Sequence, residues 1–446
     1  MNPEAVFKAY DIRGRTDNGE LDAELYRKVG SALVELLGSG PVAIGRDCRP
    51  TSDDFFRAMA GGVNDAGADV IDLGEVPTDA VYYYSGVKQM AGAVITASHN
   101  PPVYNGIKLC RPGAAPIGAD TGLEAIKATV LGGGAPSSHE TGSVTSVEIV
   151  DEYVDHLFGI LGSAQIGRLR VAVDAGNGMA GVAIHQVFDR LPAELTGLYL
   201  EPDGTFPNHP ADPLVPENLK DLQALMAGGR YDLGVAFDGD ADRAFFLDDA
   251  GSPLSGSTVT SLIARRMLQS NPGAGVVHNL ITSKAVPEII RESGGVPIRT
   301  RVGHSFIKAV MAETGAVFGG EHSGHYYFRD NYRADSGMLA MLFLLSILSQ
   351  AGEPLSRLRT GVERYSASGE INFIVDDTTS AMARVGAAET GAVIDHLDGL
   401  TVDHGREWFN LRPSNTEPLL RLNVEAANPG RVAEIVERVS AILEET

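Results

Sequence analysis

The stretch PVAIGRDCRP, Pro41–Pro50, is a short apolar run that opens into a polar loop. Two later stretches repeat the plan: RVAVDAGNGMAG, Arg170–Gly181, and GVVHNLITSK, Gly275–Lys284. In each, a β-branched run long enough for a buried strand gives way to a loop and then to a helix-permitting stretch. They recur at domain-sized intervals in a chain of 446 residues, which is too long for one core. The pattern predicts three related α/β units, although no residue-level repeat links them.

The Gly, Pro and Ser of LGGGAPSSHETGSV, Leu131–Val144, mark a linker after the first unit. SVEIVDEYVDHLFGIL then has apolar residues at helical spacing and opens the second. Further boundaries are expected near Asp248–Gly256 and Arg364–Phe373, giving domains 1–140, 141–250, 251–363 and 364–446. The last ends in an amphipathic pattern, PGRVAEIVERVSAILEE, and reads as a smaller α+β unit. Met338–Leu348, the most apolar stretch, falls well short of the ~20 residues that span a bilayer and reads as a buried helix.

A formal net charge of -22 with no basic stripe argues against nucleic acid or an acidic membrane as a partner. Two cysteines, Cys48 and Cys110, are too few for a disulfide framework, and the N-terminus lacks a secretory pattern, so a cytoplasmic location is expected.

The strongest chemical signal is YDLGVAFDGDADRAFFLDD, Tyr231–Asp249, where an apolar strand runs into Asp238, Asp240 and Asp242 at alternate positions. Three crowded carboxylates repel one another, and a hard divalent cation is the usual compensation; oxygen-only ligands favour magnesium, manganese or calcium. An EF-hand is excluded, because Arg243 stands where that loop needs glycine and a strand precedes it where a helix is required. Arg243 itself offers a guanidinium fork for phosphate oxygens or, alternatively, a salt bridge to one of the aspartates.

NLRPSNTEPLLRL, Asn410–Leu422, gathers Arg412, Ser414, Asn415 and Thr416 into a loop able to surround an anion, or into an ordinary turn. FGGEHSGHYYFRD, Phe318–Asp330, offers Glu321, Ser323 and His325 in a glycine-framed loop; His322 and His325 invite a metal reading, but no third imidazole or thiolate sits at a zinc spacing. Lys284 and His304 lie in further polar loops. VITASHNPPVYNGIKL, Val94–Leu109, places Ser98 at a strand end, but Thr96 and Asn100 occupy the glycine positions of a hydrolase elbow, so acyl transfer is disfavoured. A serine followed by a glycine-containing loop and Lys108 is better suited to holding a phosphoryl group near a metal and a cation.

TASHNPPVYNGIK, DGDADR, GEHSGH and RPSNTEP, in that order and across nearly the whole chain, resemble the α-D-phosphohexomutase superfamily, closest to its mannose/glucose branch. The resemblance implies three α/β/α domains with mixed sheets and a fourth, TATA-box-protein-like α+β domain, arranged around a central cleft. It implies that Ser98 is the phosphoserine and that Asp238, Asp240 and Asp242, together with the seryl phosphate, hold magnesium. Arg13 matches the arginine of YDIRG; Lys108, Arg243 and His304 match further catalytic positions. Lys284, Glu321, Ser323 and His325 match substrate contacts, and Arg412, Ser414, Asn415 and Thr416 match a distal phosphate clamp. The implied reaction interconverts mannose 1-phosphate and mannose 6-phosphate through phospho-Ser98 and a hexose 1,6-bisphosphate, which also serves as activator. Glucose phosphate is the alternative substrate, glucosamine phosphate a more distant one. The expected assembly is a monomer or homodimer.

Overall fold

The computed structural model describes residues 3–38, 40–135, 138, 140–413 and 419–444. It divides into two compact units, one formed by Met1–Ser255 and Ser323–Ser356, the other by Gly256–His322 and Arg357–Thr446.

Two sheets organise the first unit. The larger runs in the order Ile12–Arg15, Tyr104–Arg111, Ala91–Ile95, Val42–Arg46, Val70–Glu75, Val144–Ser146, with the short strand Ala115–Pro116 also on Tyr104–Arg111. Val42–Arg46 lies parallel to both its neighbours, whereas Tyr104–Arg111 is antiparallel to Ala91–Ile95 and Ile12–Arg15, so the sheet is mixed. Ala91–Ile95 is buried at every position, as expected for a strand covered on both faces. Helices Ala23–Leu37 and Ser52–Asp65 pack together so closely that a Cβ on Gly62 would lie 1.8 Å from the Arg27 carbonyl oxygen. Asp22 caps the first of them by accepting from the Leu25 amide at 2.8 Å.

The second sheet has the order Ala244–Leu247, Leu233–Phe237, Arg170–Asp174, Glu194–Leu198. Leu233–Phe237 is parallel to Arg170–Asp174 and antiparallel to Ala244–Leu247, so the chain reverses through residues 238–243. The helix Gly337–Ala351, which contains the apolar run Met338–Leu348, belongs to this unit and is largely buried. Ser336 caps it through the Leu339 amide at 3.1 Å. No single helix among the described residues is long and apolar enough to cross a membrane.

In the second unit, Gly275–Asn279 lies parallel to both Val296–Thr300 and Phe318–Gly320, amid helices Gly256–Ser270, Ala285–Glu292 and His304–Thr314. A separate antiparallel sheet follows, in the order Ser366–Ile374, Leu419–Ala426, Trp408–Pro413, Leu400–Asp403, Val393–Asp395. Its core joins Leu400, Leu411 and Leu422 to Val385 of the helix Thr378–Ala388 and to Ile435 and Val439 of Pro429–Glu444. The architecture is α/β with mixed sheets, the fold class expected, and the C-terminal α+β domain carries an antiparallel sheet.

One buried link in the first unit makes stability depend on pH. Asp79, on the helix Thr78–Lys88, lies 2.8 Å from the Tyr153 hydroxyl on Val150–Leu161 through either carboxylate oxygen. Burial pushes the Asp79 carboxyl up to about 7, only partly opposed by Ser336 and Tyr153. The unfolded chain releases this proton near the ordinary value of 3.8 while the folded chain keeps it. Stability is therefore lost as pH rises between those values, by a few kcal/mol in all. Asp79→Asn, which is neutral throughout, should match the parent in thermal unfolding near pH 4 and melt clearly higher near pH 8. An advantage independent of pH would refute the assignment.

Candidate active site

The strand Ala91–Ile95 runs into a tight turn in which Ser98 takes a left-handed backbone conformation, φ 51°. Non-glycine residues rarely adopt it, and the strain is held locally. The Ser98 amide donates to Thr96 Oγ1 at 2.9 Å, and the Asn100 amide donates to the Ala97 carbonyl at 3.1 Å. The return strand Tyr104–Arg111 brings Lys108 opposite Val94. The chain reversal after Phe237 supplies the acidic loop, with Ala241 also left-handed, φ 62°. The two loops meet main chain to main chain: a Cβ on Gly239 would lie 2.4 Å from the Ser98 carbonyl oxygen. Glycine is required there by contact and not by torsion.

This meeting buries Ser98 beside the acids. Its hydroxyl donates to Asp238 Oδ2 at 2.7 Å and accepts from Arg243 Nη2 at 3.1 Å. Arg243 also donates to Asp238 through Nε at 2.9 Å, and its backbone amide reaches Asp238 Oδ1 at 3.1 Å. Lys108 Nζ bridges Asp240 Oδ2 at 2.7 Å and Asp242 Oδ2 at 2.5 Å. Arg13 pairs with Asp11 at 2.5 Å and donates to Asn100 Oδ1 at 2.8 Å, so it joins the rim of the serine turn. His325 stands 3.8 Å from Asp242 Oδ1 and 2.7 Å from Asp335 Oδ2.

The charges are strongly coupled to burial. Burial and the neighbouring carboxylates raise the Asp238 carboxyl, against the pull of Arg243. Burial acts in the same sense on Asp240, but Lys108 and the Thr78 hydroxyl outweigh it and hold that carboxyl below its ordinary range. His99 is pushed down to about 2 by burial and by Arg243, which donates to its Nδ1. The ring nitrogen nearest Ser98 is thus engaged by a guanidinium, and the serine proton points to Asp238 instead. His99 Nδ1 lies 3.3 Å from the Ser98 hydroxyl, but with its lone pair turned to Arg243 it is a poor base for Ser98.

The donor set fits a hard divalent cation. One oxygen from each of Asp238, Asp240 and Asp242 can be chosen so that all lie within 4.8 Å of one another, and all three residues are buried. Asp240 Oδ1 and Asp242 Oδ1 are buried with no hydrogen-bond partner among the described residues. Orphaned carboxylate oxygens of this kind are costly unless a cation or ordered solvent satisfies them.

The second unit carries the other candidates. Glu321 is buried and accepts from Asn279 Nδ2 at 3.0 Å. Lys284 donates to the Gly405 carbonyl at 2.5 Å and pairs with Asp403, and its amide donates to Glu425 at 2.9 Å. His304 is the first residue of the helix His304–Thr314. Arg412, at the end of Trp408–Pro413, pairs with Glu370 at 3.1 Å. Ser323 falls in the first unit with His325, and Ser414, Asn415 and Thr416 lie outside the described residues.

Comparison with known proteins matches four segments in succession to phosphoglucomutase/phosphomannomutase domains. Residues 4–134, 151–251 and 255–365 match its alpha/beta/alpha domains I, II and III, and 370–442 match its C-terminal domain. A curated relative from Xanthomonas campestris pv. campestris, named phosphohexose mutases, is 41% identical over 433 residues, 96% of either chain. The chain belongs to the phosphoglucomutase/phosphomannomutase family. A phosphomannomutase from Salmonella typhimurium is 39% identical over 437 residues, again 96% of either chain. Among solved structures, a phosphoglucomutase/phosphomannomutase family protein from Burkholderia thailandensis superposes with a TM-score of 0.91 at 33% identity, covering 100% of this chain and 98% of that one. As a member of the phosphoglucomutase/phosphomannomutase family, the chain is a phosphohexomutase, an isomerase that moves a phosphoryl group on a sugar phosphate.

Two residues at the acidic loop escaped sequence reasoning. Thr78 donates to Asp240 twice, from its amide to the carbonyl at 3.0 Å and from its hydroxyl to Oδ2 at 2.7 Å. Asp335 orients His325. Neither has a local signature: Thr78 stands 162 positions from its partner, and only the fold brings them together.

Proposed function

We propose that the chain is a phosphomannomutase in which Ser98 carries the phosphoryl group, with glucose phosphate as a second substrate. The observation that carries the reading is the buried Ser98 hydroxyl, 2.7 Å from Asp238 and beside two further carboxylates, Arg243 and Lys108. In the first half-reaction the Ser98 Oγ–P bond breaks as a sugar hydroxyl oxygen bonds to phosphorus, and the hydroxyl proton leaves to a base. The hexose 1,6-bisphosphate then turns over, and its other phosphate returns to Ser98. Asp238, Asp240 and Asp242 would hold magnesium, which when bound would supply positive charge against the transferring group. Arg243 orients the Ser98 oxygen, and Lys108 brings the nearest ammonium to the acidic loop. Glu321 and His325 are proposed to hold the sugar, and Arg412 with its neighbours the distal phosphate.

The test is incubation with mannose 1-phosphate, magnesium and a trace of hexose 1,6-bisphosphate. Mannose 6-phosphate is expected; free phosphate would indicate a phosphatase, and no change a binding protein. Glucose 1-phosphate and glucosamine 1-phosphate run in parallel rank the sugars, the names of the relatives favouring mannose and glucose. Chelation should abolish turnover, and magnesium should restore it. Magnesium should also raise the melting temperature, by an amount equivalent to about 2.7 kcal/mol at a hundredfold excess over its dissociation constant. If chelated protein turned over normally, the metal assignment would fall.

A further inference from the structure

The polar loop of PVAIGRDCRP has no part in the reaction just described, yet it sends a fully bonded arginine under the Ser98 turn. Arg49 is 2% exposed and uses every guanidinium N–H. Nε donates to Asp47 Oδ2 at 2.9 Å. Nη1 donates to the carbonyls of Pro101 at 2.7 Å and Tyr104 at 3.0 Å, and Nη2 to those of Ser98 at 2.7 Å and Asn100 at 2.6 Å. Four main-chain carbonyls of one seven-residue segment, the strained serine included, thus converge on a single planar fork. Asp47 is fixed in turn: its Oδ1 accepts from the Arg49 amide at 3.1 Å and the Ser52 hydroxyl at 2.6 Å. The Phe206 ring covers the guanidinium, with its centroid 5.2 Å from Cζ.

We propose that Arg49 is a positioning residue for phosphoryl transfer: it is the internal template that holds the Ser98 turn in its left-handed conformation and so fixes the carrier oxygen against the acidic loop. The proposal rests on the reading of Ser98 as the carrier. Within the Ser98–Tyr104 segment Arg49 bonds to main-chain carbonyls, so a change of bonding there acts on the proposed carrier oxygen through the turn. Lysine keeps the charge opposite Asp47, but three donors on a flexible stem cannot serve an aspartate and four carbonyls in a plane. A displacement of about 1 Å at a reacting atom costs on the order of a hundredfold in rate.

The test is Arg49→Lys assayed with mannose 1-phosphate and magnesium, alongside mass spectrometry of Ser98 after exposure to hexose 1,6-bisphosphate. The expected result is a fall of about a hundredfold in kcat with KM within about threefold, and slower phosphorylation of Ser98, in a protein that still melts cooperatively. A kcat equal to the parent's, or a loss that follows the melting temperature and disappears on cooling, would overturn the proposal. Should Arg49→Lys not fold, Phe206→Leu removes only the ring over the guanidinium; a several-fold loss in kcat at constant KM is then expected, and no loss would overturn it. A parent protein that never acquires phosphate on Ser98 would refute the carrier reading itself, whereas a phosphorylated parent with an equally active Arg49→Lys would refute this inference alone.

Discussion

Ser98→Ala is expected to lower mutase turnover by about 10⁴-fold or more while leaving the melting temperature nearly unchanged. No neighbouring hydroxyl can replace Ser98 as the proposed carrier: Thr96 Oγ1 accepts from the Ser98 amide, and the Thr78 hydroxyl donates to Asp240. The fold loses little, because Asp238 keeps both its side-chain and its backbone bonds to Arg243, and alanine meets the same torsional cost as serine at φ 51°. The measurements are coupled turnover assays and mass spectrometry of the serine peptide. Activity within tenfold of the parent would remove Ser98 from the mechanism.

Arg243→Met should damage both activity and stability, and the two losses can be separated. The guanidinium lies against Asp238 with both groups almost wholly buried. Removing one partner of such a pair typically costs 3–5 kcal/mol, because the other charge is left uncompensated. Loss of a preorganised donor to the proposed carrier oxygen should lower kcat by a further factor of about 10²–10³. Adding Asp238→Asn relieves the stranded carboxylate, so the double variant should recover most of the melting temperature and none of the turnover. Calorimetry on both variants and steady-state kinetics on Arg243→Met, assayed well below its melting temperature, check this; because Asp238 is itself a proposed metal ligand, the catalytic share is read from the single variant, and a kcat equal to the parent's there would show that Arg243 serves only the fold.

What could be read from the chain follows the range of the interactions. The strands Val42–Arg46, Arg170–Asp174 and Gly275–Asn279 were legible because burial on both faces leaves continuous apolar runs. The acidic loop was legible because its carboxylates are neighbours in sequence, and the exclusion of a serine-hydrolase elbow rested on two residues beside Ser98. Thr78, Asp335 and Arg49 were not legible in their roles, since each acts through contacts 10 to 162 positions away and none departs locally from ordinary turn or cap chemistry. The helix Gly337–Ala351 was recognised as buried, but its grouping with the first unit depends on partners such as Gly167, whose amide donates to Ser349 at 2.8 Å. Net charge misleads in the same way: an acidic chain keeps Arg49, Lys108 and Arg243 out of solvent, where composition gives no hint of them.

The contact of Gly239 with the Ser98 carbonyl has a consequence for how such a protein can change. The separation between serine oxygen and acidic loop is set by main chain against main chain, with no rotamer available to take up slack. The two loops, drawn from different sheets and about 140 residues apart in sequence, therefore form one inherited gauge. Either can drift in its side chains, but neither can be lengthened, shortened or exchanged without the other.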